Sequence, residues 1–275
     1  MFADGADLEG MIEMRANPLI QGFTTNPTLM RKSGVSDYRV FARAVLDAIP
    51  DRPISFGVLS DDFEVMWRQA VELAGWGSNV FVKIPITDTH GRSSAGLLRR
   101  LAGAGIRVNV TAILTLEQVA VAAEAVSSAP AAVISVFAGR IADTGRDPLP
   151  LMAQALEILK PHSNVELIWA SPRELLNIIQ ADEIGCHIIT ATTDILKKLD
   201  LVGKDLTEFS LETVRMFVRD ARPCGPRALG RTRYSRNPSR ALLQYTASTV
   251  RFEHGIGRPS CRTVHTGCTS GRCKV

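Results

Sequence analysis

Eight short strand-like runs, alternating with helix-length segments, predict an α/β chain folded as a (β/α)8 TIM barrel over residues 1–221. Two further observations favour closure. Polar and charged residues gather toward the C-terminal halves of the runs, where barrel enzymes keep their active sites. The 275 residues also exceed the roughly 220–250 that one barrel typically uses.

The runs and their neighbours can be justified in order. Phe2–Gly5 is brief and reaches Asp4. Gln21–Thr25 closes on Asn26-Pro27, a pair that favours a turn. After Pro53–Leu59, Asp61 and Asp62 open a helix with acids in its first turn, which suits the helix dipole. Asn79–Ile86 carries Lys83 inside an apolar stretch. Arg107–Leu114 precedes the 3.6-residue apolar rhythm of Leu116–Val126. Ala131–Phe137 leads to a helix over Leu149–Leu159, entered through Pro148 and Pro150. Val165–Ala170 and His187–Thr193 complete the set. An open doubly wound sheet is the alternative; no G-x-G-x-x-G follows the first run, which weakens its dinucleotide-binding form.

The net charge of +4 averages two unlike regions. Residues 1–220 hold 21 basic and 27 acidic residues, a net of −6, whereas residues 221–275 hold 11 basic residues and one acid, Glu253, a net of +10. Four of the five cysteines (Cys224, Cys261, Cys268, Cys273) fall in that second region. The break divides the chain into a barrel, 1–221, and a basic tail, 222–275, rich in Arg, Ser, Thr, Gly, Pro and Cys. Disorder is the expectation for the tail, and a shifted reading frame is one origin of such a composition. Two alternatives compete with it. An Arg-rich arm would bind nucleic acid through phosphates, yet its aromatics (Tyr234, Tyr245, Phe252) are sparse. A zinc module from His254, Cys261, His265, Cys268 and Cys273 lacks the usual paired ligand spacing. No apolar run approaches the roughly 20 residues of a membrane span. The N-terminal MFADGADLEG carries acids where a signal peptide would be basic and then apolar, so a cytoplasmic location is expected.

Lys83 stands in Val80-Phe81-Val82-Lys83-Ile84-Pro85-Ile86. Burying a cation there is expensive, and desolvation lowers an amine's pKa. The neutral amine is the form that attacks a carbonyl and makes a Schiff base. The structural alternative is a lysine that snorkels from the strand end or pairs with Asp4. Asp4 is a candidate general base toward a substrate hydroxyl, with an N-terminal turn or helix cap as its alternative. Asn26 and Asn109 are amides able to orient hydroxyls. Asn26 also fits a turn before Pro27. Asn109, between Val108 and Val110, does not, and Thr111 shares its face two residues on. Arg140 and Arg173 follow the sixth and seventh runs. Singly each fits a surface salt bridge; as a pair beside Ser171 they favour an anionic substrate, because guanidinium forks match phosphate. Thr24, Thr25 and Ser135 complete the polar set. His90, His162 and His187 show no zinc-like spacing.

Six motifs taken together resemble the transaldolase family, in the family's order and across nearly all of residues 1–220. They are Phe-Ala-Asp at 2–4, Thr-Thr-Asn-Pro at 24–27, Val-Lys-Ile-Pro at 82–85, Asn-Val-Thr at 109–111, Ser-Val-Phe-Ala-Gly-Arg-Ile at 135–141 and Ala-Ser-Pro-Arg at 170–173. The resemblance implies a barrel of the class I aldolase type, sugar-phosphate substrates, self-association, and chemistry that needs neither metal nor organic cofactor. By position, Lys83 resembles the Schiff-base lysine, Asp4 the carboxylate assisting C–C cleavage, and Thr111 the threonine that positions the catalytic water. Asn26, Asn109 and Ser135 match positions holding the dihydroxyacetone part of a ketose, with Thr24 beside them. Arg140, Ser171 and Arg173 match the site for the acceptor's phosphate. The implied reaction moves a three-carbon ketol unit between sugar phosphates in the pentose phosphate pathway. A related fructose-6-phosphate aldolase releases that unit instead; Phe137, where those aldolases carry Tyr, favours transfer.

The chain departs from the family pattern at Gly57, where the third strand would carry Glu, or Gln in the aldolases. That side chain helps activate the water that moves protons in Schiff-base chemistry, so a folded but slowed enzyme is expected. An impaired barrel that binds partners through its basic tail is the competing function. A lysine aldolase acting on deoxyribose phosphate would need a second active-site lysine, and no strand lysine partners Lys83.

Overall fold

The structure, a computed structural model, describes residues 1–221. The expectations for residues 222–275 (disorder, a phosphate-binding arm or a zinc module) lie outside the described residues.

Eight parallel strands pair in sequence order and close into a barrel, with β1 against β8. They are β1 (Phe2–Asp4), β2 (Gly22–Thr24), β3 (Ile54–Gly57), β4 (Val80–Pro85), β5 (Val108–Ile113), β6 (Ala132–Val136), β7 (Val165–Trp169) and β8 (Ile188–Thr192). Closure establishes the (β/α)8 architecture and sets aside the open sheet. Each strand is shorter at one or both ends than its apolar run. The trimmed residues, such as Thr25 and Phe137, belong to the loops or helix caps that shape the barrel mouth.

The helices between strands are α1 (Leu8–Ala16), α2 (Pro27–Lys32), α3 (Tyr38–Ala48), α4 (Phe63–Ala74), α5 (Ala95–Gly103), α6 (Leu116–Ala125), α7 (Ala138–Ala142), α8 (Leu149–Leu159) and α9 (Leu176–Glu183). After β8 come α10 (Thr193–Leu196) and α11 (Leu206–Ala221). Their starts follow capping chemistry. The side chains of Asp7, Asp37 and Asp62 accept first-turn backbone N–H groups of α1, α3 and α4. Thr115 and Gln118 form a reciprocal capping box on α6. Asp62 thus starts the helix that the acidic pair at 61–62 predicts. The chain divides after Asp205 into two units, and of the second only α11 is described. No helix of the described residues is long and apolar enough to cross a membrane.

Strand alternation sorts side chains into two cores. Outward residues such as Phe23, Phe56, Ile84, Ile134 and Trp169 pack in the main core with the helices. Phe2, Val133, Ile168, Ala170 and Ile188 fill the barrel interior. Gly22 belongs to that interior: a Cβ there would fall 2.5 Å from the Phe2 ring. The register then aims the polar residues. Lys83 lies level with Gly57 on one side and Asn109 on the other. Asp4 lies level with Thr24 and Thr192.

Candidate active site

A cavity of about 500 Å³ is lined by residues at and just beyond the C-terminal ends of the strands. Asp4, Thr24, Asn26, Lys83, Thr111, Phe137, Arg140, Ser171 and Arg173 all line it. Residues scattered over 170 positions of sequence therefore meet at one mouth, as barrel closure requires.

Lys83 and Asp4 form its electrostatic centre. The Lys83 amine donates to the Thr25 carbonyl oxygen at 3.3 Å. Burial pulls its pKa below the ordinary 10.5, and the charge of Asp4 opposes that shift. Burial likewise pushes the Asp4 carboxyl above the usual carboxylate range, against the pull of Lys83 and two hydrogen bonds. Those bonds come from the Thr24 hydroxyl at 2.8 Å and the Asn26 amide at 3.2 Å. Thr24 Oγ1 is itself 2.7 Å from Thr190 Oγ1, so β1, β2 and β8 are tied together behind the carboxylate. Asn26 takes the turn role that its place before Pro27 predicts, and its amide nitrogen goes to Asp4. Its Nδ2 holds Asp4 while its Oδ1 caps α2 through Leu29 N–H.

Asn109 and Ser135 sit one layer deeper and do not line the cavity. Asn109 donates to Ser55 Oγ at 2.9 Å and accepts from Ser135 Oγ at 2.8 Å. This buried chain joins β3, β5 and β6 under the mouth. Thr111 stands one pleat above Asn109, and its buried Oγ1 has no hydrogen-bond partner among the described protein groups. A hydroxyl so placed in a cavity wall is suited to hold a water or a substrate oxygen. Next to it Ala112 adopts φ 63°, where the β5–β6 register shifts.

The opposite wall is cationic. The Arg140 guanidinium lies 5.3 Å from the centre of the Phe137 ring, a cation–π contact. Arg173 Nε donates to Asp143 Oδ1 at 3.0 Å, and its Nη2 pairs with the other oxygen of that carboxylate. Ser171, at φ 61°, is with Ala112 one of the two non-glycine residues at positive φ among those described, and both line the cavity. Left-handed backbone at such residues is strained and collects at functional sites.

A buried amine, a carboxylate and two guanidiniums around one cavity fit aldolase-type chemistry on an anionic carbonyl compound. The comparisons agree. A family model described as Transaldolase/Fructose-6-phosphate aldolase matches residues 1–224. The chain belongs to this family. A probable transaldolase of Methanococcus maripaludis is 35% identical over 199 residues, covering 72% of this chain and 88% of that protein. One from Thermoanaerobacter sp. is 35% identical over 227 residues, covering 82% of this chain and 97% of its own length. Among solved structures, a protein of the dihydrodipicolinate synthase family from Coccidioides immitis aligns with a TM-score of 0.51 at 12% identity. That alignment covers 67% of this chain and 59% of the other, and it shows the barrel fold alone.

Membership in the transaldolase/fructose-6-phosphate aldolase family makes this an enzyme of the transaldolase or aldolase kind. Within it, Gly57 lines the mouth, and a Cβ built on it meets nothing within 4 Å. The backbone there would accept a side chain; the sequence supplies none. Sequence reasoning missed four contributors. Thr190 and Thr192 line the cavity from β8, but threonines in a strand carry no polar signal of their own. Ser55 serves the buried chain, and Asp143 reaches the mouth only through Arg173. An acid three residues after Arg140, near a second arginine in space, becomes visible only once the barrel closes.

Proposed function

We propose that this chain moves a dihydroxyacetone unit between sugar phosphates through a Schiff base on Lys83, as a step of the pentose phosphate pathway. The observation that carries this reading is the buried Lys83 amine opening on the same cavity as Asp4, Arg140 and Arg173. The amine attacks the C2 carbonyl of a ketose phosphate, and loss of water leaves an imine. Asp4 takes the proton of the C4 hydroxyl as the C3–C4 bond breaks. The aldose phosphate departs, and the electron pair stays on the three-carbon unit as an enamine. That enamine adds to the aldehyde of a second aldose phosphate, Asp4 returns its proton to the new alkoxide, and water releases the product from Lys83. Thr111 is placed to hold such a water. Asn26 orients Asp4, while Asn109, Ser135 and Ser55 brace the layer beneath the donor. Arg140, Ser171 and Arg173 receive the phosphate. Phe137, where the family's aldolases carry Tyr, supports transfer over release. Gly57 supports a slowed enzyme.

Borohydride reduction in the presence of fructose 6-phosphate tests the reading. One reduced dihydroxyacetone should remain on the peptide bearing Lys83, and none on the Lys83→Met variant. With erythrose 4-phosphate added, a heptulose phosphate should form; free dihydroxyacetone alone would point to the lyase alternative. No adduct on Lys83 would sink the proposal and leave the impaired barrel.

A further inference from the structure

Gly139 and Asp143 stand one turn apart along α7 and its C-cap, so they share one side of it. That side faces the loop leaving β7. A Cβ on Gly139 would lie 1.7 Å from the Ser171 carbonyl oxygen and 3.2 Å from Arg173 Nε. Helix backbone and loop thus touch where only a hydrogen fits. Four residues on, Asp143 takes Arg173 side-on, through Nε and Nη2. The other end of Arg173 is fixed as well: Asn177 Oδ1 accepts both the Arg173 and Glu174 backbone N–H groups, at 2.8 and 3.2 Å.

Magnitudes decide what this arrangement is for. The Arg173 and Asp143 side chains are 47% and 54% exposed, and exposed ion pairs contribute little to folding stability. Its effect is on aim. A guanidinium has five N–H donors in a planar fork, and side-on pairing uses two of them. The end-on pair at Nη1 and Nη2 is left, with a fixed direction, and two parallel N–H groups match two oxygens of a phosphate. Because the proposed function has a phosphorylated substrate, this inference rests on that reading. We propose that Gly139 and Asp143 are positioning residues: the glycine gives the hollow and the carboxylate the clamp that aim Arg173 at the anionic end of the substrate.

The test uses the full chain and glycerol 3-phosphate, a phosphorylated three-carbon compound without a carbonyl. Calorimetry should show Asp143→Ala binding it on the order of ten-fold more weakly, the loss expected when a charge-assisted hydrogen bond is misaimed. Asp143→Asn, which keeps one acceptor for Nε, should fall between. As acceptors, glyceraldehyde 3-phosphate should show a raised KM at similar kcat, and unphosphorylated glyceraldehyde no change. Gly139→Ala should reproduce the pattern if it folds; the Asp143 variants decide the matter if it does not. Unchanged or tighter phosphate binding in Asp143→Ala would overturn the proposal, since the carboxylate would then merely compete for Arg173. So would absence of binding by the parent chain, or an equal loss with both aldehydes. Should borohydride trap no adduct on the parent, the Schiff-base reading falls alone, because the binding series does not depend on it.

Discussion

Lys83 must be a free amine to attack a carbonyl, and Asp4 must be ionised to take a proton. Their pKa values are shifted toward each other, Lys83 below 10.5 and Asp4 above 3.8, with burial the larger cause in both. The signs fix the pH profile. As pH rises through the depressed Lys83 value, the free amine accumulates, so the trapping rate should rise and level off before pH 10.5. As pH falls through the raised Asp4 value, the base is lost, so C–C cleavage should fail at a pH higher than an ordinary carboxylate would impose. A kcat/KM profile that rises with pH through both groups checks this. The step that Asp4 contributes should vanish in Asp4→Asn along with most of the activity, while the rise through Lys83 stays. A profile set by unshifted groups would contradict it. Gly57 gives a second prediction at this scale. Open space surrounds the direction of its missing Cβ, and its neighbour across the ladder is Lys83. Gly57→Glu should therefore fold and place a carboxylate at the Schiff base. General acid–base assistance is worth roughly 10²–10⁴-fold, so turnover of a ketose phosphate should rise well beyond assay error. Equal rates in parent and variant would show that Gly57 does not limit turnover.

At the scale of elements, what the sequence reveals depends on how local the cause is. Helix starts were legible where one side chain does the work, as at Asp62, and strands where apolar runs are bounded by Pro, Gly or Asn. Lys83 was legible as a cation inside Val-Phe-Val-Lys-Ile, where a snorkelling or Asp4-paired lysine is an equal reading until the ring of polar residues at the other strand ends favours chemistry. Arg140, Ser171 and Arg173 were legible as neighbours because they follow the adjacent sixth and seventh runs, and the resemblance added the acceptor's phosphate as their ligand. What stayed hidden is what closure creates. Thr190 reads as a β-former, yet it braces Thr24 behind Asp4. Gly139 reads as an ordinary glycine, yet its missing Cβ lets α7 touch the Ser171 carbonyl. Asn109 reads as a mouth residue by its strand position. Its two side-chain bonds instead run sideways to Ser55 and Ser135, in a layer below the cavity. Periodicity gives the face of a strand a residue occupies, but its depth in the barrel follows from register, which pairs one strand with the next.

For the whole molecule, the distribution of site residues against the distribution of charge leads to a last prediction. Every residue of the proposed mechanism lies between Asp4 and Arg173, and the wall is completed by Thr190 and Thr192 from β8. The family match ends at residue 224, beside the composition break near Ala221. Residues 1–221 carry a net charge of −6, against +4 for the full chain, since ten net positive charges follow Ala221. A chain ending at Ala221 should then keep borohydride trapping on Lys83 and the KM for the phosphorylated acceptor, because all the proposed site residues lie within residues 4–192. Its behaviour toward polyanions should change instead. At pH 7 the shortened chain should bind an anion exchanger, whereas the full chain should bind heparin in a salt-sensitive way, as arginine-rich segments do with phosphate-like charges. Loss of trapping on truncation would place part of the active site beyond Ala221. Equal retention of both forms on heparin would show that the tail's charge is not presented to partners at all. The two readouts separate because catalysis depends on groups held a few ångströms apart, whereas polyanion binding depends on net charge over a longer range, about 8 Å at physiological salt.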